Sequence, residues 1–428
     1  MKNRIRDLKN FYILWSTQSL SQLGSTMTSF ALTLWVYQQT GSALEMALLS
    51  ICSYAPYVLM SIFAGALSDR WNKKRTMLTC DSMAACSTII VLIMLHIGML
   101  HPWHLYILNA MTGLMNAVQN PASEVAITLI TPKDKYQQTS GLRSFSRSLI
   151  TILHPIIATS LWGVGGMNLV IAVDLSTFAV AFLSLLLLVK IPEAMGNGTD
   201  DKNESLLASA RLGLRCLNEN RLVLYLILFL SGVNLAASAF DAALPAFILP
   251  IAGGGEQVLG IVTTAAGIAM LIGSASATVL PAPKDRVKVI VLTMLFSLTA
   301  GNFLMSLAKI PALWCLAQLF AYLPVPIMET NLDVIIRTSI PDYMQGRVYA
   351  CRNTLQFFTI PIGLFFGGFV VDTVCEPYMA RTERSFLITL FGCEKGSGAA
   401  LVIFVLGVMG GLICMGFGAV LKKYKFRG

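Results

Sequence analysis

Charged residues are scarce in this sequence. Only 12% of its 428 residues are Asp, Glu, Lys or Arg, which is about half the fraction found in an ordinary soluble domain. So few charges cannot solvate the surface of a soluble fold of this length, so the exterior must face lipid. In lipid a backbone must satisfy its hydrogen bonds internally, as helices or a closed barrel. Continuous apolar runs of about 20 residues, rather than alternating short stretches, favour helices.

Motifs of enzymes and metal proteins are also missing. The sequence has no GxxxxGK[ST] phosphate-binding loop, which argues against an ATP-driven pump made by this chain alone. Its nine cysteines show neither CxxC nor Cys/His metal spacing. His96, His101 and His104 have no carboxylate or thiol at ligand spacing. We therefore expect no enzymatic activity, no metal and no cofactor.

Twelve apolar runs are long enough to cross a membrane. The first follows a basic segment, residues 1–10, and is too long for a signal peptide and lacks its cleavage site, so we interpret it as a span. The predicted spans cover residues 11–37, 43–67, 76–98, 103–130, 142–164, 167–189, 221–250, 257–280, 287–308, 311–337, 347–372 and 398–421.

The positions of Lys and Arg predict the orientation. The net charge of +9 would suit nucleic-acid binding, but the basic residues form short clusters between the spans. All of them lie on the side of the N-terminus except Lys309, Arg381, Arg384 and Lys395. Because cytoplasmic loops carry the excess of Lys and Arg, we expect both termini to be cytoplasmic and no nucleic-acid partner.

The sequence divides into two halves of six spans. We predict an N-terminal bundle over 1–190, a cytoplasmic linker over 191–220 and a C-terminal bundle over 221–428. Within the linker, Leu206 to Leu217 has the pattern of an amphipathic helix at the membrane surface. An internal repeat supports the division, because three residues recur at a constant offset of 209: Glu124, Pro132 and Arg143 return as Asp333, Pro341 and Arg352.

The repeated carboxylates and arginines lie at predicted cytoplasmic span ends. One asymmetric substrate does not require its contacts to be duplicated. We therefore favour a symmetric gate formed by Glu124, Arg143, Asp333 and Arg352, with proton carriage as the alternative.

Three carboxylates are predicted to lie deeper in the membrane. Asp174, Asp241 and Glu329 each have apolar neighbours and lie several positions from a loop. Intramembrane carboxylates are costly and are functional by default, so these are candidates for proton coupling. The alternative is a carboxylate satisfied by a nearby polar group.

Uncharged amides in the spans are candidates for substrate contact. The residues are Gln18, Gln22, Asn116, Gln119 and Asn234. With 20 methionines in the chain, a wide apolar cavity with few polar groups would suit a hydrophobic ligand. Interhelical hydrogen bonding is the alternative for each amide.

The predicted external segment from Thr373 to Gly398 is long. Its apolar middle, Ser385 to Phe391, could lie in the membrane interface or fold over the outer opening. Cys375 and Cys393 flank that stretch on the oxidising side, where a disulfide is permitted.

The connection between spans two and three carries the sequence GALSDRWNKKR at residues 65–75. It resembles the signature loop of the major facilitator superfamily in pattern and in position. The resemblance assigns Gly65, Asp69, Arg70 and Arg75 to a conformational switch. A carboxylate such as Asp69 at a helix end can stabilise a helix N-terminus or pair with arginine in one conformation only, each worth about 0.3–2 kcal/mol.

Within that superfamily the chain is most similar to the macrolide-efflux branch. The resemblance covers nearly the whole chain and includes Phe11-Tyr12 with Trp15 and Gln18, Thr40-Gly41-Ser42-Ala43, Pro56-Tyr57, Asn120-Pro121-Ala122, and Ala172-Val173-Asp174 followed by Ile191-Pro192. It implies two pseudo-symmetric six-helix bundles, a central cavity and alternating access driven by proton entry.

These observations predict a proton-driven exporter of a macrolide-like amphiphile. We expect a monomer, in a bacterial plasma membrane, whose partners are its substrate, protons and lipid. An exporter dedicated to one natural product, such as a siderophore or peptide metabolite, shares every feature. Nothing in the residues fixes direction, so uptake by symport stays open. A sensor or scaffold without transport is a further alternative, because the stretch from Tyr106 to Gln119 lacks the arginine that many proton-coupled members carry in span four.

Overall fold

Every regular element in the described part of the chain is helical. The structure, a computed structural model, describes residues 8–132, 135–192, 206–281, 283–340, 342–381 and 386–421. In chain order the helices are α1 Lys9–Thr40, α2 Ala43–Arg70, α3 Lys73–His96, α4 Pro102–Ile130, α5 Tyr136–Leu183, α6 Leu206–Glu219, α7 Arg221–Ile248, α8 Glu256–Val279, α9 Arg286–Phe296, α10 Asn302–Leu307, α11 Pro311–Tyr322, α12 Pro324–Ser339, α13 Asp342–Phe357, α14 Thr359–Phe369, α15 Glu376–Arg381, α16 Phe386–Phe391 and α17 Ser397–Leu421.

The predicted membrane spans are present as long apolar helices. Within the described ranges, nine helical stretches are long and apolar enough to cross a membrane. One of them, Phe145–Leu188, has 44 residues and contains Gly166 with a positive φ of 60°. Glycine tolerates that conformation, so two spans meet there. The more polar helices α1 and α4, of 32 and 29 residues, correspond to the predicted spans over 11–37 and 103–130.

In the predicted linker, residues Leu206–Glu219 form the helix α6. The segment predicted to be external contains the short helices α15 and α16, and Phe391 at the end of α16 is buried. The structure leaves both Cys375 and Cys393 as free thiols, without the disulfide that their positions permitted.

The chain forms two compact units. Unit 1 contains Met1–Val36 and Cys52–Leu206, and unit 2 contains Tyr37–Ile51 and Leu207–Gly428. The turn that joins α1 to α2 therefore packs with the C-terminal helices, although the predicted division at residue 190 placed it in the first bundle.

Each unit has its own apolar core. In unit 1, Phe11, Met77 and Leu185 are buried together from α1, α3 and the π-helix Ser184–Leu188 that follows α5. In unit 2 the core is larger and runs along α7, where Phe229 and Leu230 are buried. Small residues bring helices close elsewhere, as is usual in membranes.

One such contact gives a stability prediction. A Cβ atom at Gly113 of α4 would lie 2.1 Å from the backbone oxygen of Ser53 in α2, whereas a Cβ at Gly416 of α17 would have nothing within 4 Å. We expect Gly113→Ala to lower the free energy of unfolding by about 1–3 kcal/mol, since the helices must move apart. Gly416→Ala is the matched control and should be neutral or slightly stabilising. The midpoint of thermal unfolding of the purified protein measures both, and equal shifts would contradict the close approach.

Candidate functional site

The repeated residues of the first half form an ion pair. Arg143 in α5 donates to both carboxylate oxygens of Glu124 in α4, and the bond from Nη1 to Oε2 measures 2.8 Å. Arg147, one turn further along α5, lies 3.7 Å from the same carboxylate. The carboxylate of Glu124 is therefore shared by two cations.

The second half repeats the pair. Nη1 of Arg352 in α13 donates to Oδ1 of Asp333 in α12 at 3.0 Å, and its Nε donates to Gln356 at 3.0 Å. The side chain of Arg352 is 13% exposed, against 22% for Arg143. The sequence offset thus corresponds to the same contact in both units.

The predicted switch loop is described in part. The backbone of Gly65, Asp69 and Arg70 continues α2, but the side chains of residues 61–70 lie outside the described part of the structure. The side chain of Arg75 is exposed. Nζ of Lys74 donates to the backbone oxygens of Leu186 and Val189, at 3.0 and 2.8 Å. This lysine therefore contacts the end of the π-helix Ser184–Leu188.

Among the predicted deep carboxylates, Asp241 is exposed and has one defined hydrogen-bond partner. Its Oδ1 accepts a hydrogen bond of 3.1 Å from the hydroxyl of Tyr322, at the end of α11. Pro245 lies one turn further along α7, and since proline has no N–H, the backbone oxygen of Asp241 lacks its helical donor. Asp241 is exposed, although its neighbours in α7, residues 238–240 and 242–244, are buried.

The other two deep carboxylates differ from each other. Asp174 is 4% exposed and accepts a hydrogen bond of 3.2 Å from the Ser25 hydroxyl, beside the close approach of Gly24. This contact agrees with the alternative interpretation, in which a nearby polar group holds the carboxylate. Glu329 is exposed, lies one turn before Asp333 on α12, and no described residue hydrogen-bonds to it.

The candidate amides have different surroundings. Gln18 and Gln119 both donate to the carboxylate of Asp81 in α3, the former at 3.2 Å. Asn234 donates to the backbone oxygen of Gln356 at 3.0 Å, which is an interhelical bond. Asn116 is exposed. Asp81 is not among the carboxylates predicted above, although it lies about two helical turns past Lys73 and, like the other three, is an isolated carboxylate in a predicted span.

Two adjoining cavities lie within unit 1. An apolar cavity of about 240 Å³ is lined by Leu20, Leu23, Phe145, Leu149, Ile150 and Leu153. A polar cavity of about 140 Å³ is lined by Gln18, Gln22, Asn120, Ser123, Glu124, Arg143 and Arg147. Trp15, Ser19 and Ser146 line both cavities, so the two together offer an amphiphilic surface.

Asp372, which is also not among the predicted site residues, accepts hydrogen bonds from the first residues of α2 within unit 2. Asp372, in the π-helix Val370–Cys375, accepts hydrogen bonds from the Ser42 hydroxyl at 2.5 Å and from the backbone N–H groups of Ala43 and Leu44 at 3.0 and 2.8 Å. The first N–H groups of a helix lack partners within it and favour negative charge. Asp372 therefore acts as a helix cap supplied from a distant part of the chain.

We expect Asp372→Asn to destabilise the protein by about 1–2 kcal/mol. The asparagine lacks the negative charge, and its N–H₂ group would face the hydroxyl and N–H donors that the carboxylate now accepts from. The matched control is Asp285→Asn at the start of α9, where Asp285 accepts from Lys288 N at 2.9 Å within its own helix. Asparagine and aspartate cap such positions about equally well. Thermal unfolding compares the variants, and an equal loss in both would contradict the special role of Asp372.

Comparison with known proteins agrees with this architecture. The sequence model of the Major Facilitator Superfamily matches residues 14–364. The chain is 23% identical over 368 residues to macrolide efflux protein A of Streptococcus pyogenes, covering 85% of this chain and 90% of that protein. It is 24% identical to the multidrug efflux pump Tap of Mycolicibacterium fortuitum, covering 82% and 86% of the two chains.

Solved structures show the same fold. A bacterial homologue of the human lysosomal transporter Spinster, in an inward-facing and occupied conformation, superposes with a TM-score of 0.72. The identity is 14%, and the match covers 97% of this chain and 96% of that one. The predicted fold class is therefore confirmed.

Proposed function

Because the chain belongs to the Major Facilitator Superfamily, whose members are transporters rather than enzymes, we propose that it exports a macrolide-like amphiphile in exchange for protons. The observation that carries this proposal is the accessible carboxylate of Asp241, held by one tyrosine hydroxyl at a proline-interrupted point of a membrane helix. The relatives named as efflux proteins support the outward direction.

Proton exchange requires a carboxylate that can be reached and that can change its charge. Asp241 meets both conditions, since it is exposed and no described Lys or Arg pairs with it. Glu329 is the second candidate because it is exposed near the Asp333–Arg352 pair. We assign Asp174 to structure, because it is buried and bonded to Ser25.

The adjoining cavities support the proposed substrate class. Apolar walls supply burial for a hydrophobic body, and a few amides fix its orientation. Gln22 lines the polar cavity and remains a candidate for substrate contact.

Alternating access requires contacts that form in one state and break in the other. We assign this role to the pairs Glu124–Arg143 and Asp333–Arg352, to the switch loop with Asp69 and to Asp372. With both termini in the cytoplasm of a bacterial cell, the two pairs lie at the inner helix ends and Asp372 lies at the outer end. The chain would act as a monomer.

Drug accumulation in cells tests the proposed function. Cells that express the protein should accumulate less of several unrelated amphiphiles, macrolides included, than cells with an empty vector. Gly416→Ala, a change in open space, serves as a control for expression and should behave like the unaltered protein. Reduced accumulation of one compound alone would favour a dedicated natural-product exporter. Binding without any change in accumulation would favour a sensor.

A further inference from the structure

We propose that Asp81, together with the side-chain amides of Gln18 and Gln119, recognises a protonated amine, so that the compounds carried are cationic amphiphiles. The proposal rests on the transport function above and narrows its substrate class.

The three side chains meet inside the membrane. At 1.5 Å per residue, Asp81 lies about 12 Å beyond the start of α3 at Lys73. Gln18 lies about 14 Å beyond Lys9 in α1, and Gln119 lies about 16 Å before the end of α4 at Ile130. Because these helix ends are predicted to lie on one side of the membrane, the three residues share one depth, about 12–16 Å from those ends.

Asp81 has no cationic partner within the described ranges. Its two oxygens accept from the amides of Gln18 and Gln119, and no described Lys or Arg forms an ion pair with it. In the neighbouring polar cavity, Glu124 and Arg143 already pair with each other. A carboxylate in a membrane interior is costly unless a positive charge compensates it, so a cationic ligand would bind favourably here.

The hydrogen-bonding pattern also favours a donor ligand. An ionised carboxylate can only accept, and an amide that donates through its N–H₂ group has its carbonyl oxygen left as an acceptor. The cluster therefore offers oxygen acceptors, and a protonated amine offers N–H donors and a positive charge. Charge-assisted hydrogen bonds of this kind are the strong ones.

An apolar body could be held close by. Gln18 lines the polar cavity, which shares Trp15 and Ser19 with the larger apolar cavity. The indole N–H of Trp15 is buried without a hydrogen-bond partner among the described residues, so an ether or hydroxyl oxygen of a ligand could accept from it. The indole ring can also stabilise a cation that lies over its face.

Two fluorescent probes test the proposal by equilibrium binding. N-dansyl-1,12-diaminododecane carries a free ammonium group, and its N-acetyl derivative is neutral but otherwise alike. Each is titrated against the purified protein in lipid nanodiscs, with empty nanodiscs subtracted. We expect the unaltered protein to bind the amine at least about tenfold more tightly than the acetylated probe, as one charge-assisted hydrogen bond implies.

Asp81→Asn should remove that preference by weakening amine binding about tenfold, with acetyl-probe binding unchanged, and Asp81→Glu should keep it. Asp285→Asn is a control for an exposed carboxylate. Equal binding of the two probes by the unaltered protein would overturn the proposal without any variant. A preference that survives in Asp81→Asn, with gradient-driven transport lost, would assign Asp81 to proton transfer and also overturn it. Normal probe selectivity without transport would instead reject the proposed function.

Discussion

Replacement of Asp241 by asparagine is expected to abolish proton-driven efflux while substrate still binds. The carboxylate would carry the proton, and an amide of the same size cannot. Tyr322 can still donate to the amide oxygen, so the local packing should survive. We expect the initial rate to fall roughly hundredfold, the lower end of the contribution of a positioned proton-transfer group.

Asp174→Asn is the matched control for Asp241→Asn, because the chemical change is identical and both residues lie in membrane helices. Asp174 is buried against Ser25 and Gly24, so its replacement should lower stability and leave proton coupling intact. Substrate exchange across vesicles without a gradient should continue in Asp241→Asn. Gradient-driven efflux that persists in Asp241→Asn would move the coupling site to Glu329.

Charge reversal at Arg352 should have the second largest effect. Arg352→Asp would place a third carboxylate beside Asp333 and Glu329, which already share one face of α12. Glu329 and Asp333 are one helical turn apart, and like charges at that spacing destabilise a helix. The Asp333–Arg352 pair is only partly exposed, so water screens the added charge incompletely. We expect transport to fall about tenfold or more, because pairs in direct contact couple by about 0.5–3 kcal/mol.

The exchanged pair Asp333→Arg with Arg352→Asp provides the decisive comparison. If the ion pair is what matters, the double variant should recover part of the lost transport. The related exchange Glu124→Arg with Arg143→Glu tests the same contact in unit 1. A double variant no better than the worse single variant would show that these residues act separately and not as a gate.

The helical architecture could be predicted from the sequence because its signals are local. Apolar length predicted a span over 221–250, and α7 covers Arg221–Ile248. The constant offset of 209 residues predicted equivalent positions, and both pairs form the same contact. The amphipathic pattern after residue 205 predicted α6.

The partners of polar side chains could not be predicted, because they depend on packing between distant segments. Gln18 and Gln119 are predicted substrate contacts, and the sequence does not show that both amides also donate to Asp81. Asp372 finds its partners at the start of α2, about 330 residues away in the chain. A general rule could have pointed to Asp81, since any lone carboxylate in an apolar run is a functional candidate.

The central claim is that a proton gradient drives outward transport. Uptake of a radiolabelled macrolide into inverted membrane vesicles, with and without an ionophore that collapses the gradient, tests it most directly. Accumulation is expected to require the gradient and to disappear with the ionophore. Accumulation that is unchanged when the gradient is collapsed would contradict it.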